Sequence, residues 1–183
     1  MILCDRDIRA RIRSGSVKIS PSRDVDGQIR ASSVDLLLGH DFRPMGTRGE
    51  ATTVPFGLSF LLVPGAAVLA TTFERLELPL DLAARVEGRA TFSDRWGVLV
   101  HASEAFIDAG YTGNLVLEIV NLSPETVRLV PRTPICRLTF QVLTSHAEHA
   151  SGEHGTTAAL GASASTGIES GVVSVRTGSL LED

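Results

Sequence analysis

From Ser32 onward the chain runs as short apolar stretches punctuated by glycine and proline. They comprise Val34 to Leu38, Leu58 to Val63, Ala67 to Thr72, Ala83 to Val86, Val98 to Val100, Leu115 to Val120, Val127 to Val130 and Ile135 to Leu143. Short apolar runs with turn residues between them are the pattern of an all-β sandwich or barrel. Nowhere do strands alternate with long helices as in a βαβ protein, and neither a GxGxxG nor a P-loop motif occurs, which argues against nucleotide binding through those folds. Ahead of the strands, Asp5 to Ser14 reads as a short amphipathic helix. Ile8 and Ile12 stand four residues apart among charged neighbours, and Gly15 is a stop signal. This helix is expected to cap the fold.

With 183 residues, 43% of them apolar, the chain can bury one core of ordinary size. The expected organisation is one β domain over residues 1–143 and a tail over residues 144–183. After Leu143 the composition shifts to His, Gly, Ser, Ala and Thr, through His146, His149 and His154 to small residues at Gly161 to Gly171. The loose histidine spacing does not match a ligand set, so no metal is assigned there. Cys4 and Cys136 are the only cysteines and form no CxxC or Cys/His cluster, which fits a reducing cytoplasm and gives no zinc site. A net charge of −4 without any Lys/Arg run argues against nucleic acid or an anionic membrane as partner. An anionic small ligand would need local arginines. The first residues carry charges where a signal peptide needs an apolar core, and no run reaches spanning length, so a soluble, cytoplasmic protein is expected.

Chemistry concentrates in Val86 to Gly97 and Phe106 to Glu118. Arg89 and Arg95 flank what reads as a polar turn, where guanidinium forks and backbone N–H groups can hold phosphate oxygens; alternatively both form surface ion pairs with Glu87 or Asp94. Asp108 precedes Ala-Gly-Tyr-Thr-Gly, a tight connection whose glycines allow close approach of a ligand, with a sugar hydroxyl as natural partner. Its alternative role is to hydrogen-bond its own backbone turn. Tyr111, the only tyrosine, either stacks on a sugar or base or fills a hairpin corner. Glu118 lies among Leu115, Val116, Leu117, Ile119 and Val120, apolar on both faces of the expected strand. A carboxylate buried there would have a raised pKa and could take a proton from water and return it to a leaving amine. On an edge strand it would instead face solvent.

Gly88-Arg89, His101, the Ile107-Asp108-Ala109-Gly110-Tyr111-Thr112-Gly113 segment and Leu117-Glu118, in that order, resemble the core of dCTP deaminases and their bifunctional deaminase/dUTPase relatives. Ile2 to Ile8, Ser33 to Gly39, Pro64-Gly65 with Leu69 to Thr72, and Leu78 to Leu82 extend the resemblance over residues 1–143. It implies a dUTPase-like distorted β-barrel or jelly roll, assembled as a homotrimer with sites between neighbouring subunits. A pyrimidine deoxynucleotide would bind there with Mg²⁺ carried on its phosphates and waters. The HxE and PCxxC motifs of zinc deaminases are absent, so deamination of dCTP to dUTP would use a water activated by a carboxylate, by resemblance Glu118. Asp108 would hold the sugar, and Arg89 and Arg95 would lie near the phosphates or the reacting water. Some residues differ from the family pattern. Ala90 and Thr91 stand where the family has consecutive serines, Ser93 is placed to refill the missing hydroxyl, and Ser103-Glu104 replace a Thr-Ala pair. Besides the deaminase, the resemblance leaves open a dUTPase-type diphosphohydrolase, a divergent pyrimidine nucleotide hydrolase and a nucleotide-binding trimer without turnover.

Overall fold

The computed structural model describes residues 1–21, 25–153 and 172–175. In chain order the elements are α1 (Asp5–Arg13), β1 (Lys18–Ser20), α2 (Val25–Gln28), β2 (Ile29–Arg30), β3 (Ser33–Pro44), β4 (Thr52–Thr53), β5 (Ser59–Leu62), β6 (Ala67–Glu77) and β7 (Leu82–Gly88). They continue with α3 (Ala90–Trp96), β8 (Val98–Ala102), β9 (Phe106–Ile107), β10 (Tyr111–Asn121), β11 (Val127–Leu129), β12 (Pro134–Val142), β13 (Gly152–Glu153) and β14 (Val172–Val175). Each of the eight apolar runs coincides with a strand. The expected helix forms with Ile8 buried, and Arg11 from its last turn reaches across to Asp81 at 2.6 Å.

Most strands join one curled sheet in the order β13-β10-β6-β3-β12-β7-β9, with β1 on β6, β2 and β4 on β3, and β8 on β10. A smaller sheet, β11-β5-β14, packs against it. The join is apolar: Phe42 of β3 stacks on Phe60 of β5 with centroids 4.6 Å apart, and both rings are fully buried. Such offset aromatic pairs add to the area they remove from water.

Period-two alternation decides what faces the core. Along β10, Tyr111, Leu115, Leu117 and Ile119 point inward, whereas Asn114, Val116, Glu118 and Val120 lie half-buried on the other face. At Gly88 the backbone of β8 comes so close that an added Cβ would strike the Val100 carbonyl, so only glycine fits there.

A second carboxylate lies deeper. Glu74 on β6 is 2% exposed; its Oε2 accepts from the Leu37 N–H at 2.9 Å and its Oε1 from Gln28 Nε2 at 2.6 Å. Desolvation pushes its pKa above the ordinary carboxylate range, partly offset by these hydrogen bonds and by Arg132. The Arg132 guanidinium sits 4.0 Å from the centroid of the Phe73 ring. Because the folded protein holds this proton more tightly than the unfolded chain, Glu74 favours the native state at acid pH, and that contribution is lost as pH rises through its raised pKa. Glu74→Gln removes the titration. The melting-temperature advantage of wild type over this variant is expected to shrink as pH is raised from about 4 through neutrality, measured by thermal melts across the series; an unchanged difference contradicts the assignment.

Candidate active site

Glu118 occupies the outer face of β10, between β6 and β8, in register with Leu69 and His101. Ser103 Oγ donates to its Oε1 at 3.0 Å, and His101 Nδ1 lies 3.5 Å from Oε2. Its side chain is 34% exposed, which corrects the expectation of a buried carboxylate. The apolar neighbours divide by alternation: Leu117 and Ile119 face the core, while Val116 and Val120 accompany Glu118 on the half-open face. Nor is β10 an edge at this point, since both flanks are paired.

Beside Glu118 lies a cavity of about 60 Å³ lined by Ser103, Glu104, Tyr111, Leu115 and Val116. Tyr111 is buried and donates its hydroxyl to the Asn114 carbonyl at 3.0 Å; it fills the strand corner and contributes one wall. Burial, with the nearby Glu104 charge adding, pushes its phenol pKa well above the ordinary range. This cavity has room for a few waters, far below the several hundred Å³ of a typical small-molecule pocket.

Asp108 lies exposed on a second cavity, of about 290 Å³, together with Phe106, Ala147, His149 and Ser151. Its backbone carbonyl accepts from the Tyr111 N–H at 3.3 Å, closing the turn and leaving the carboxylate directed outward. The walls from residues 147–151 belong to the expected tail. Ala147 N–H donates to the Leu80 carbonyl at 2.8 Å, Ser151 N–H to the Ala109 carbonyl at 2.9 Å, and β13 then runs parallel to β10 at Tyr111 and Thr112. His154 and the stretch from Gly161 to Gly171 lie outside the described residues.

The segment after Arg89 is a helix, α3, where a polar turn was expected. Phe92 anchors it in the core and meets Trp96 one turn on, ring centroids 4.8 Å apart, and Gly97 in the left-handed conformation ends it. Ala90 and Ser93 are exposed and Thr91 half-buried on this helix. Ser93 Oγ donates to the Ala90 carbonyl at 3.0 Å, so its proton is committed locally. Arg95 lines a third, open groove of about 550 Å³ with Trp96, Ser123, Glu125 and Arg128.

Arg89 pairs with neither Glu87 nor Asp94. Its Nη1 donates at 2.8 Å to Asp35, which is fully buried and also accepts from Arg30 Nε at 2.8 Å and Arg137 Nε at 3.2 Å. Asp35, Arg30 and Arg137 were not singled out from the sequence. The available signal was a charged residue inside the apolar run from Val34 to Leu38, the same signal that drew attention to Glu118. On one chain, then, Glu118, Ser103, Glu104 and Tyr111 come together, whereas Asp108, Arg89 and Arg95 occupy three other places.

An antiparallel β domain with a polar carboxylate site of this kind is similar in fold to the crystal structure of 2'-deoxycytidine 5'-triphosphate deaminase from Agrobacterium tumefaciens. The TM-score is 0.65 at 24% identity, over 78% of this chain and 48% of that one, so the chain spans about half the length of that protein. The expected all-β architecture is thus the observed one. The family model described as dCTP deaminase-like matches residues 2–143, and the chain belongs to that family. Among relatives, a "dCTP deaminase, dUMP-forming" of Halobacterium salinarum is 40% identical over 84% of this chain and 86% of its own length. One of the same name from Dictyoglomus thermophilum is 39% identical over 81% and 84%, and a "dCTP deaminase" of Natronomonas pharaonis is 40% identical over 81% and 84%.

Asp35 holds together segments far apart in sequence, and removing its charge leaves three guanidiniums without their shared acceptor. Asp35→Asn is expected to lower unfolding free energy by about 3 kcal/mol, at the low end of broken buried ion pairs because the arginines are half-open to water. Urea unfolding of the two proteins measures it, and a loss below about 0.5 kcal/mol would show the cluster to be dispensable.

Proposed function

We propose that this protein deaminates a pyrimidine deoxynucleotide, dCTP to dUTP, with Glu118 as the group that handles the proton. The observation that carries this reading is the setting of Glu118 on β10, where Ser103 donates to one carboxylate oxygen, His101 Nδ1 lies 3.5 Å from the other, and the side chain stays one-third open to solvent beside a small cavity that Ser103 also lines. In the reaction Glu118 takes a proton from a water whose oxygen adds to C4 of the cytosine ring. The proton returns to the 4-amino nitrogen, the C4–N bond breaks, and ammonia leaves a uracil ring. Ser103 orients the carboxylate, and its oxygen, with the proton given to Glu118, is free to accept from the water. Glu104, on the same cavity, is placed to accept a hydrogen bond from an amino group of the base.

Asp108 is the sugar ligand in this reading, Tyr111 the wall behind the sugar, and Arg89 and Arg95 phosphate ligands, with Ala90 and the half-buried Thr91 following Arg89 in the first turn of α3. These groups line separate places on one chain, and the Glu118 cavity alone is too small for a nucleotide, which supports a site assembled between subunits of a homotrimer. A magnesium ion fits as part of the substrate. Among the described residues no group of three His, Cys, Asp or Glu side chains stands ready to ligate a metal, whereas a phosphate chain brings its own oxygens. Such an ion supplies charge neutralisation of the phosphates. Among the described residues no helix is long and apolar enough to cross a membrane.

The names of several relatives favour a second step. Proteins called dUMP-forming release their product with one phosphate, so diphosphate hydrolysis following deamination is the companion reading for this chain.

Glu118→Gln keeps the shape of the side chain and removes the base. Ammonia release from dCTP is expected to fall about 10²- to 10⁴-fold, while the rise in melting temperature on adding dCTP and Mg²⁺ persists, because binding to the native state alone stabilises it. Ammonia and pyrophosphate are followed together. A variant that deaminates at the wild-type rate rules out Glu118, and pyrophosphate without ammonia assigns the protein to the diphosphohydrolases.

A further inference from the structure

Asp35 carries one negative charge, and three guanidiniums converge on it. Every arginine is charged at any working pH, so after one is neutralised two positive charges remain at this spot. Arg30 and Arg137 both reach Asp35 through Nε, at 2.8 and 3.2 Å. Their terminal Nη groups, the forked end that recognises planar oxyanions, bond to no other described residue. Those ends are in water: the side chains of Arg30 and Arg137 are 50% and 49% exposed, and that of Arg89 25%. Glu87, the cross-strand neighbour of Arg137 in the β7–β12 pairing, lies 3.7 Å from Arg85 and forms no ion pair with the cluster among the described residues.

Their backbone anchors are rigid. Asp35 and Arg137 are cross-strand partners in the β3–β12 pairing, Arg30 is on β2 beside β3, and Arg89 follows directly on β7, whose close contact with β8 is enforced by Gly88. A cluster of guanidiniums with excess charge, held by one buried carboxylate and open to solvent, is built for a ligand carrying several negative charges on neighbouring oxygens. A carboxylate ligand would neutralise only one guanidinium. A chain of phosphates matches the charge and the spread of donors.

We propose that Arg30 and Arg137, locked beside Arg89 by Asp35, form a polyphosphate-binding platform that takes the terminal phosphates of the nucleotide. The assignment of those phosphates to a nucleotide rests on the function proposed above and on Arg89 as a phosphate ligand; the platform itself rests on the arginine geometry. Asp35 acts as a positioning residue, turning the two Nε groups inward so that the Nη forks face out. The platform discriminates by phosphate number, favouring a triphosphate over a monophosphate.

The probe is inorganic tripolyphosphate, titrated calorimetrically into the full-length protein at low salt. Wild type is expected to bind it, and Arg30→Gln with Arg137→Gln together to weaken binding at least about tenfold, the loss of charge-assisted contacts. Each single variant falls between, which keeps the measurement decisive should the double variant fail to fold. Arg30→Lys with Arg137→Lys, which keeps charge and loses the fork, is expected to bind more weakly than wild type. Absence of binding to wild type, or equal binding by wild type and the two single variants, overturns the proposal. Tripolyphosphate has no base and no sugar, so its binding is independent of deamination. A protein that binds it through these arginines and releases no ammonia from dCTP keeps the platform and loses the deaminase reading; the reverse result keeps the deaminase and removes the platform.

Discussion

A single buried carboxylate organises the arginines of this protein. Asp35 has no exposed surface, and an ionised group in that position is tolerable only with partners. The partners come from β2, from the residue that opens α3, and from β12, so the demand of one side chain for compensation ties three distant segments into a fixed arrangement. The guanidiniums are not buried with it. Each keeps part of its surface in water, so the cluster avoids the desolvation of a wholly buried network and remains available to a ligand.

The same strand shows how a second polar group is accommodated. Leu37, two residues on from Asp35, gives its N–H to the buried Glu74, and Gln28 bridges Glu74 and the Asp35 carbonyl. Two carboxylates therefore sit next to one another in the fold with opposite solutions, one surrounded by cations and the other relying on neutral donors. The first suits a group that must stay charged; the second leaves Glu74 holding its proton more tightly than an exposed carboxylate does.

The architecture was legible because period-two alternation and turn residues are local signals: every apolar run from Val34 to Leu143 coincides with a strand, and the Ile8/Ile12 spacing marks α1. Legibility failed where the answer depended on residues far apart in sequence. Glu118 was read as buried because apolar residues surround it, yet Val116 and Val120 share its half-open face, and whether that face is covered is a property of the sheet. Asp35 sat inside an apolar run and was passed over, although its burial is complete. Phe92 and Trp96 at helical spacing, with Gly97 after them, did encode α3, but the surrounding polar residues masked it as a turn. Ser103 and Glu104 were recognised, and the hydroxyl of Ser103 meets Glu118.

The edge of β10 changes partner midway. It is flanked by β13 at Tyr111 and Thr112 and by β8 only from Leu117 to Asn121, and a bulge between Asn114 and Val116 interrupts its other pairing, with β6. The small cavity opens in the uncovered middle, against Leu115 and Val116. Mechanically this is two short strands joined by a compliant link. The half bearing Glu118 is clamped from both flanks, whereas on one flank the half bearing Tyr111 depends on a two-residue contact with β13. The wall of the cavity at Tyr111 therefore rests on fewer strand contacts than the carboxylate beside it.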